Sequence, residues 1–518
     1  MLREALQQGE FVITCEFVPG RGKDGAAVNA AVEFAKWVPS SGMKIHAVSL
    51  TDCPGGNPAI SPDVLAREIQ AAGLDVLVHF SCRDINRNAI EARAMALARN
   101  GIKNLLVITG DYTKGGFEGA ASPVFDLDAV QAVKYLKAMS RGLDVPGRKK
   151  GTTDKLSSTD FCVAAAVSPF KLAENEYLPQ LFKMEKKIAA GADFIITQLG
   201  YDMRKSFEVK RYLASRGLKT PVFGNVYVLS AGAAKAMRAG EVPGCVVPDS
   251  LMAVLEEEAK APDKGKRKRL ERAAKMVAAF KGMGFNGVHI GGFGLTAEDF
   301  KFILTHAAEI APQWESFVPE LCFSRKDEFY AFPPPASYKL TTPDPDPVAG
   351  LKPQSKPAAF AFWDFMHGLA FEEGKPLYKM IRAYYRGIGD KGVLAHLSHI
   401  GEFMAKRVFF ECRDCGDCGL PELAYRCPMS KCAKRQRNGP CGGSKDGMCE
   451  VYPDEKPCVW TVVYQRLKSV GRLDEMRTGY VPARRTELEY TSGWANYFLG
   501  RDHTQKAPEP TAPEQKAG

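Results

Sequence analysis

The run Phe410 to Leu420, FECRDCGDCGL, spaces Cys412, Cys415 and Cys418 three residues apart, and Cys427-Pro428 follows after eight more residues. Thiols at that spacing can form a disulfide knot, a zinc site or an iron–sulfur cradle. With Cys432, Cys441, Cys449 and Cys458 the region holds eight cysteines, enough for two sets of four ligands. The bacterial ferredoxin run has three residues between its third and fourth cysteines where this chain has eight, so zinc stays open beside a cluster. The remaining cysteines, Cys15, Cys53, Cys82, Cys162, Cys245 and Cys322, lie singly in the first two thirds of the chain.

A different chemistry is written near the N-terminus. Glu16 interrupts the apolar run ITCEFVP, and burial among such neighbours is expected to raise its pKa into a range useful for proton transfer. Other polar residues end short apolar runs: Thr51 and Asp52, His79 and Ser81, Thr109-Gly110-Asp111, Gln198, Asn225 and Tyr227, and His289 before two glycines. Side chains of this kind do chemistry only if the fold gathers them.

The elements that would gather them recur. In AAGLDVLVHFS, RNGIKNLLVITG, AAGADFIITQL, SRGLKTPVFGNV and GMGFNGVHIGG a helical pattern stops at glycine and a short apolar run follows. Glycine suits the left-handed position past a helix end, and the run suits a strand buried on both faces. FVITCEF, IHAVSLT and FCVAAAV bring the strands to eight, with helices such as SPDVLAREIQAAG between them, capped at Ser61 with Pro62 in the first turn. Eight alternating units predict a closed (β/α)8 TIM-type barrel over residues 1–325, with every polar residue named above at a strand's C-terminal end, where barrels place active sites. A proline-rich linker over 326–357, a smaller cysteine-rich metal-binding domain over 358–502 and a disordered polar tail over 503–518 complete the expected division.

Composition narrows the class. The chain of 518 residues is 45% hydrophobic and 25% charged with a net charge of +10, ordinary for a globular protein and no signature of nucleic-acid binding. Its one dense basic run, Lys264 to Lys275, alternates with Leu270, Ala273 and Ala274 as a surface helix would. The first residues lack the apolar core of a signal peptide, and no run approaches the ~18 apolar residues of a membrane span. The expectation is a cytoplasmic protein whose cysteines bind metal instead of forming disulfides. The loop YTKGGFEGAAS after Asp111 is expected to be flexible and able to bring backbone N–H groups to phosphates, and no GxGxxG opens a helix after a strand.

On CEFVPGRG, VSLT, VITGD and KKIAAGADFIITQLGYD, residues 1 to about 310 resemble methylenetetrahydrofolate reductase, a flavoprotein built on such a barrel. The cysteine run with NGPCGGSKDGMCEV and CVWTVVYQRLK resembles the zinc- or cluster-binding C-terminal module that accompanies some of these reductases. The resemblance implies FAD-dependent reduction of 5,10-methylenetetrahydrofolate to 5-methyltetrahydrofolate. Glu16 would be the catalytic acid, Asp111 and Gln198 would contact the folate, and Thr51, His79, Thr109, Gly110, Asp111 and Lys187 would line the flavin site. Two [4Fe-4S] clusters on Cys412, Cys415, Cys418, Cys427, Cys432, Cys441, Cys449 and Cys458, or zinc in one or both sites, would pass electrons from NAD(P)H, ferredoxin or a redox subunit. Departures from the family pattern leave Lys171 or Asn175 to stand in for an aromatic residue and a histidine after strand five, and Asp52 replaces an aromatic residue after strand two. A zinc-thiolate folate methyltransferase and a purely structural zinc module are the competing readings, and a homo-oligomer is left open.

Overall fold

In the computed structural model, which describes residues 1–149, 151–353 and 355–504, eight parallel strands close into a barrel. They are β1 (Val12–Phe17), β2 (Ala47–Leu50), β3 (Asp75–Ser81), β4 (Asn104–Ile108), β5 (Cys162–Val167), β6 (Phe194–Thr197), β7 (Val222–Tyr227) and β8 (Gly287–Gly291). The order runs in sequence and closes β8 onto β1, with Thr14 in register with His289. Helices α1 (Ala26–Ser41), α2 (Pro62–Ala71), α3 (Arg87–Arg99), α4 (Ala129–Ser140), α5 (Glu174–Ala189), α6 (Met203–Ser215), α7 (Lys266–Gly282) and α8 (Ala297–Ile310) form the outer layer. The (β/α)8 expectation is met strand for strand.

Local sequence explains the starts of these helices. Ser61 accepts a hydrogen bond from the Asp63 N–H with Pro62 at the first helical position, and reciprocal capping boxes open α4 at Asp128–Gln131 and α8 at Thr296–Asp299. The basic run lies on α7, which buries Leu270, Ala273 and Ala274 and turns its charges outward. The barrel floor is packed by Val12, Ala47, Leu77, Leu106, Phe194 and Phe223, and the N-terminal helix Leu2–Gln7 plugs it with Leu2 and Ala5. With the floor sealed, the open end of the cylinder is the C-terminal one.

Two segments depart from the sequence division. Residues 322–346 do not hang as a linker: they are strapped along α6 by charged side chains. Buried Glu208 accepts from the N–H groups of Ala331 (3.1 Å) and Phe332 (3.0 Å), Arg211 binds Asp344, and Arg216 binds Asp346 at 3.0 Å. Prolines cannot supply such N–H groups, but the non-proline stretch preceding them can. The second departure is in the cysteine region, because the chain forms two compact units, Met1–Lys352 with Gly439–Val462, and Pro353–Asn438 with Val463–Gly518. Cys441, Cys449 and Cys458 therefore belong to the barrel's unit.

The second unit contains α9 (Ala358–Ala370), α10 (Pro376–Ile388) and α11 (Val393–Phe410), with Tyr378 and Tyr385 packed on Ala495 and Phe498. His503, assigned by sequence to the tail, is buried against Asp417, which accepts from both its backbone N–H (3.0 Å) and its ring. The rest of the expected tail, 505–518, lies outside the described residues.

Glu208→Ala removes the acceptor for two strap N–H groups and leaves them unpaired. The expected cost is about 2–4 kcal/mol of stability, read as a lower thermal midpoint together with new proteolytic cleavage between residues 323 and 346, and with Glu208→Gln losing less.

Candidate active site

Strand alternation and register assemble the site. Thr14 and Glu16 lie two apart on β1 and so point to the same face, inward, where β8 presents His289 and β3 presents His79. Glu16 Oε2 lies 3.0 Å from His289 Nε2 and 3.8 Å from His79 Nε2. Thr14 Oγ1 is 2.8 Å from the other ring nitrogen of His289, and Ser49 Oγ is 3.0 Å from His79 Nε2. Each imidazole is thus held by a hydroxyl and turned toward one carboxylate. Gly291 makes room for it, since a β-carbon there would stand 3.1 Å from Glu16 Oε1.

This arrangement corrects the expected pKa of Glu16. Burial pushes the carboxyl up, as the sequence suggested, but the hydrogen bond from His289 and the charges of His289 and His79 outweigh it and hold Glu16 below its ordinary value. A single strand cannot reveal this, because the opposing groups come from β3 and β8. His79 is pushed down to about 4, chiefly by burial.

Most of the other expected residues follow strand ends. Thr51 follows β2 with its hydroxyl buried and, among the described residues, without a hydrogen-bond partner. Gly110 follows β4 at φ +87°, and a β-carbon there would fall 2.2 Å from Ser81 Oγ, so the strand end can approach β3 only as glycine. Asp111 accepts from the Gly55 N–H at 2.8 Å, which ties the β2 and β4 loops together. Thr109 is buried beside them. Gln198 follows β6, its side-chain oxygen accepting from the Leu199 N–H at 2.9 Å.

Lys187, on α5, is buried and donates to the Ala166 carbonyl at 2.6 Å; burial pushes it down to about 7. Asp52 braces the rim, accepting from Arg93 (2.7 Å) and the Ser81 N–H (3.1 Å). The loop after Asp111 is not open backbone: Gly115–Gly116 and Gly119–Ala120 pair as a hairpin with Phe117 exposed at its tip.

Residues 439–444 are the part of this region that sequence reasoning missed. The buried ammonium of Lys171 donates to the carbonyls of Gly442 (2.6 Å) and Ser444. Lys183 donates to the Gly439 carbonyl at 3.1 Å, and Ser168 to that of Gly442 at 3.4 Å. Gly244, φ +76°, lies so close that a β-carbon would sit 3.1 Å from the Gly442 oxygen and 3.4 Å from Gln198 Nε2. The segment carrying Cys441 thus rests on the strand ends next to Gln198. The one available signal was a run of lysines on an otherwise buried helix.

In the second unit Cys412, Cys415, Cys418 and Cys427 line one cavity of about 520 Å³ including its mouth, together with Lys406, Glu402, Arg437 and Asp417. The turn that brings the cysteines together needs Gly416 at φ +68°, where a β-carbon would overlap the Leu488 oxygen. Burial pushes the thiols of Cys415 and Cys418 up to about 11 and about 12. Lys406 is ion-paired with Glu402, and Arg437 stands 3.3 Å from Asp417.

A closed parallel barrel with a carboxylate–imidazole pair among polar strand ends has the architecture of a barrel enzyme, with its functional groups at the C-terminal mouth. The family pattern of methylenetetrahydrofolate reductase matches residues 1–301, and that described as methylene-tetrahydrofolate reductase C terminal matches 394–486. The chain belongs to the methylenetetrahydrofolate reductase family, whose members are oxidoreductases.

A methylenetetrahydrofolate reductase (NADH) of Arabidopsis thaliana is 23% identical over 239 residues, 44% of this chain and 37% of that one. A probable methylenetetrahydrofolate reductase (NADH) of Oryza sativa is 25% identical over 211 residues, 39% and 32% of the two chains. The chain spans about a third of the length of these relatives. A Clostridium thermocellum structure described as binding two copies of 5-methyl-5,6,7,8-tetrahydrofolic acid covers 60% of this chain and 99% of that one at 12% identity and a TM-score of 0.42, too loose to carry an argument. No helix among the described residues is long and apolar enough to cross a membrane.

His79 sets a pH dependence of stability. Its folded pKa, about 4, is below the ordinary 6.5, so the unfolded chain binds the extra proton between these values. Stability contributed by the neutral ring is whole above pH 6.5 and is lost as pH falls toward 4, on the order of 3 kcal/mol in all. His79→Gln is expected to flatten the fall in thermal midpoint across that window.

Proposed function

We propose that the chain reduces 5,10-methylenetetrahydrofolate to 5-methyltetrahydrofolate at the barrel mouth, with FAD as its cofactor and electrons delivered through the cysteine module. The observation that carries this reading is the Glu16–His289 pair, 3.0 Å apart at the strand ends and inside the segment that matches the family.

The residues present fit a flavin. Among the described residues Thr51 has a buried hydroxyl with no hydrogen-bond partner, and the Lys187 ammonium, which has three donors, gives one to the Ala166 carbonyl. Thr51, His79, Thr109, Gly110 and Asp111 would hold the ring system, and Lys187 a phosphate. When bound, the flavin supplies a hydride.

The chain's own contribution is orientation and a proton. Asp111 and Gln198 orient the pterin, each pinned by a backbone N–H. Glu16 would give the proton that the folate amine takes up as the methylene bridge opens to an iminium, and His289 Nε2, 3.0 Å from Glu16 Oε2, holds the carboxyl in place.

For the metal, the reading is one [4Fe-4S] cluster on Cys412, Cys415, Cys418 and Cys427. Lys406 and Arg437 on the wall of the cysteine cavity would offset the negative charge of such a cluster. Cys432 and the set Cys441, Cys449 and Cys458 fall in different compact units, so the proposal is confined to the first four. A one-electron donor of the ferredoxin type suits a cluster, and NADH, printed for the plant relatives, is the other candidate.

Glu16→Gln is expected to keep the bound flavin and its reduction by dithionite while lowering folate reduction by about 100-fold or more; an unimpaired rate removes Glu16 from the mechanism. Anaerobically purified protein should show flavin bands over a broad visible shoulder that bleaches on reduction, with about four irons lost in Cys415→Ser. Zinc in place of iron at that site, with the flavin retained, overturns the cluster and leaves the barrel reading intact.

A further inference from the structure

Helices α9, α10 and α11 carry 12 of the 22 large hydrophobic side chains that stand exposed. The other 10 are spread over the remaining described residues. The three helices touch one another through side chains of this group and their neighbours. Trp363 on α9 packs against Phe362 (4.9 Å between ring centres) and against Phe409 at the end of α11 (5.2 Å), and the Tyr384 hydroxyl of α10 meets Ser398 in the middle of α11.

The arrangement on α11 is the reverse of an ordinary surface helix. Its buried residues are Glu402 and Lys406, on the wall of the cysteine cavity, while Val393, Leu397, Ile400, Met404 and Val408 face solvent, Val393 at 75% exposure and Val408 at 72%. A helix that buries its charges and displays its aliphatic residues has been shaped by contact on the displayed side.

Size and pattern identify the occupant. Twelve side chains exposing on the order of 100 Å² each present roughly 1,000 Å² of apolar surface. That exceeds the ~300–600 Å² of the largest patch on a typical monomer and meets the ~800 Å² that each partner brings to a standard interface. The solvent seam of α11 runs Val393, Leu397, Ile400, Met404, in steps of four, three and four, the spacing with which helices pack against a like helix. Such a seam is complementary to itself, as a two-fold interface requires.

We infer that α9–α11 form a homodimer interface, the same face of a second copy of this chain packing on it about a two-fold axis. The inference is independent of the catalytic reading, because it uses no residue of the barrel mouth and its test does not measure turnover.

Sedimentation velocity on the full chain should show, at micromolar loading, a species of twice the 56.7 kDa chain mass. Leu397→Glu combined with Met404→Glu should weaken self-association at least about 100-fold and give the monomer with unchanged far-UV circular dichroism. Val254→Glu, on the barrel helix Asp249–Glu258, should remain dimeric. Hydrogen exchange of the unmodified protein supplies the same answer without mutation: amides of α9–α11 should slow between dilute and concentrated samples. A monomer at all concentrations, a dimer indifferent to the paired glutamates, or binding of the monomer to phosphatidylglycerol vesicles with no self-association would each overturn the inference.

Discussion

The strand ends of this barrel are arranged around one carboxylate, Glu16, buried in a largely apolar cylinder with His289 at 3.0 Å and His79 at 3.8 Å. Burial alone would drive a proton onto Glu16, and the barrel prevents this by spending residues from three other strands. Register brings His289 opposite Thr14, so the hydroxyl that fixes the imidazole and the carboxylate that uses it are two positions apart on one strand. β2 supplies Ser49 for His79, and the absent side chain of Gly291 leaves Glu16 its space. A change of register by one residue would turn all of these outward, so the sealed floor and the closure of β8 on β1 are conditions of the site.

This dependence explains what could be read from the sequence. Periodicity is local, and the eight strands and their polar C-terminal residues followed from it, together with caps such as Ser61. The sign of the Glu16 shift was not local. ITCEFVP contains only the burial, while the compensating histidines lie 63 and 273 residues away. Lys171 illustrates the same limit: beside Pro169 and Phe170 it looked free to serve a cofactor, yet its partners are carbonyls more than 270 residues later. Proline content also misled, since the stretch before Pro333 is tied down by Glu208 and Arg211 on a helix whose sequence gives no hint of them.

The cysteines show a second way in which spacing falls short. Counting gave two sets of four, and the first set is the one that lines a common cavity. The chain between Cys432 and Cys441 leaves one compact unit for the other, so Cys432 lies in the second unit and Cys441, Cys449 and Cys458 in the barrel's. NGPCGG supplies the reason. Its glycines let the backbone come within reach of Ser168, Lys171 and Lys183, and the lysines, deprived of water on α5 and its preceding turn, need carbonyls to bind. Burying an ammonium is costly unless it is hydrogen-bonded, so the pairing of lysine with loop carbonyl holds both members in place.

That pairing links the two chemistries within the barrel's own unit. Gln198, pinned at the end of β6, has the Gly442 backbone as a neighbour across Gly244, and Cys441 is the residue before Gly442. The segment carrying Cys441 lies over the strand ends on the side of β5 to β7, while Glu16, His79 and His289 come from β1, β3 and β8. The two sides of the mouth therefore differ: one opposes a carboxylate with imidazoles, and the other carries backbone held on buried lysines. Under the proposed function, in which hydride and proton go to one substrate, this division would keep the groups that govern each on separate walls.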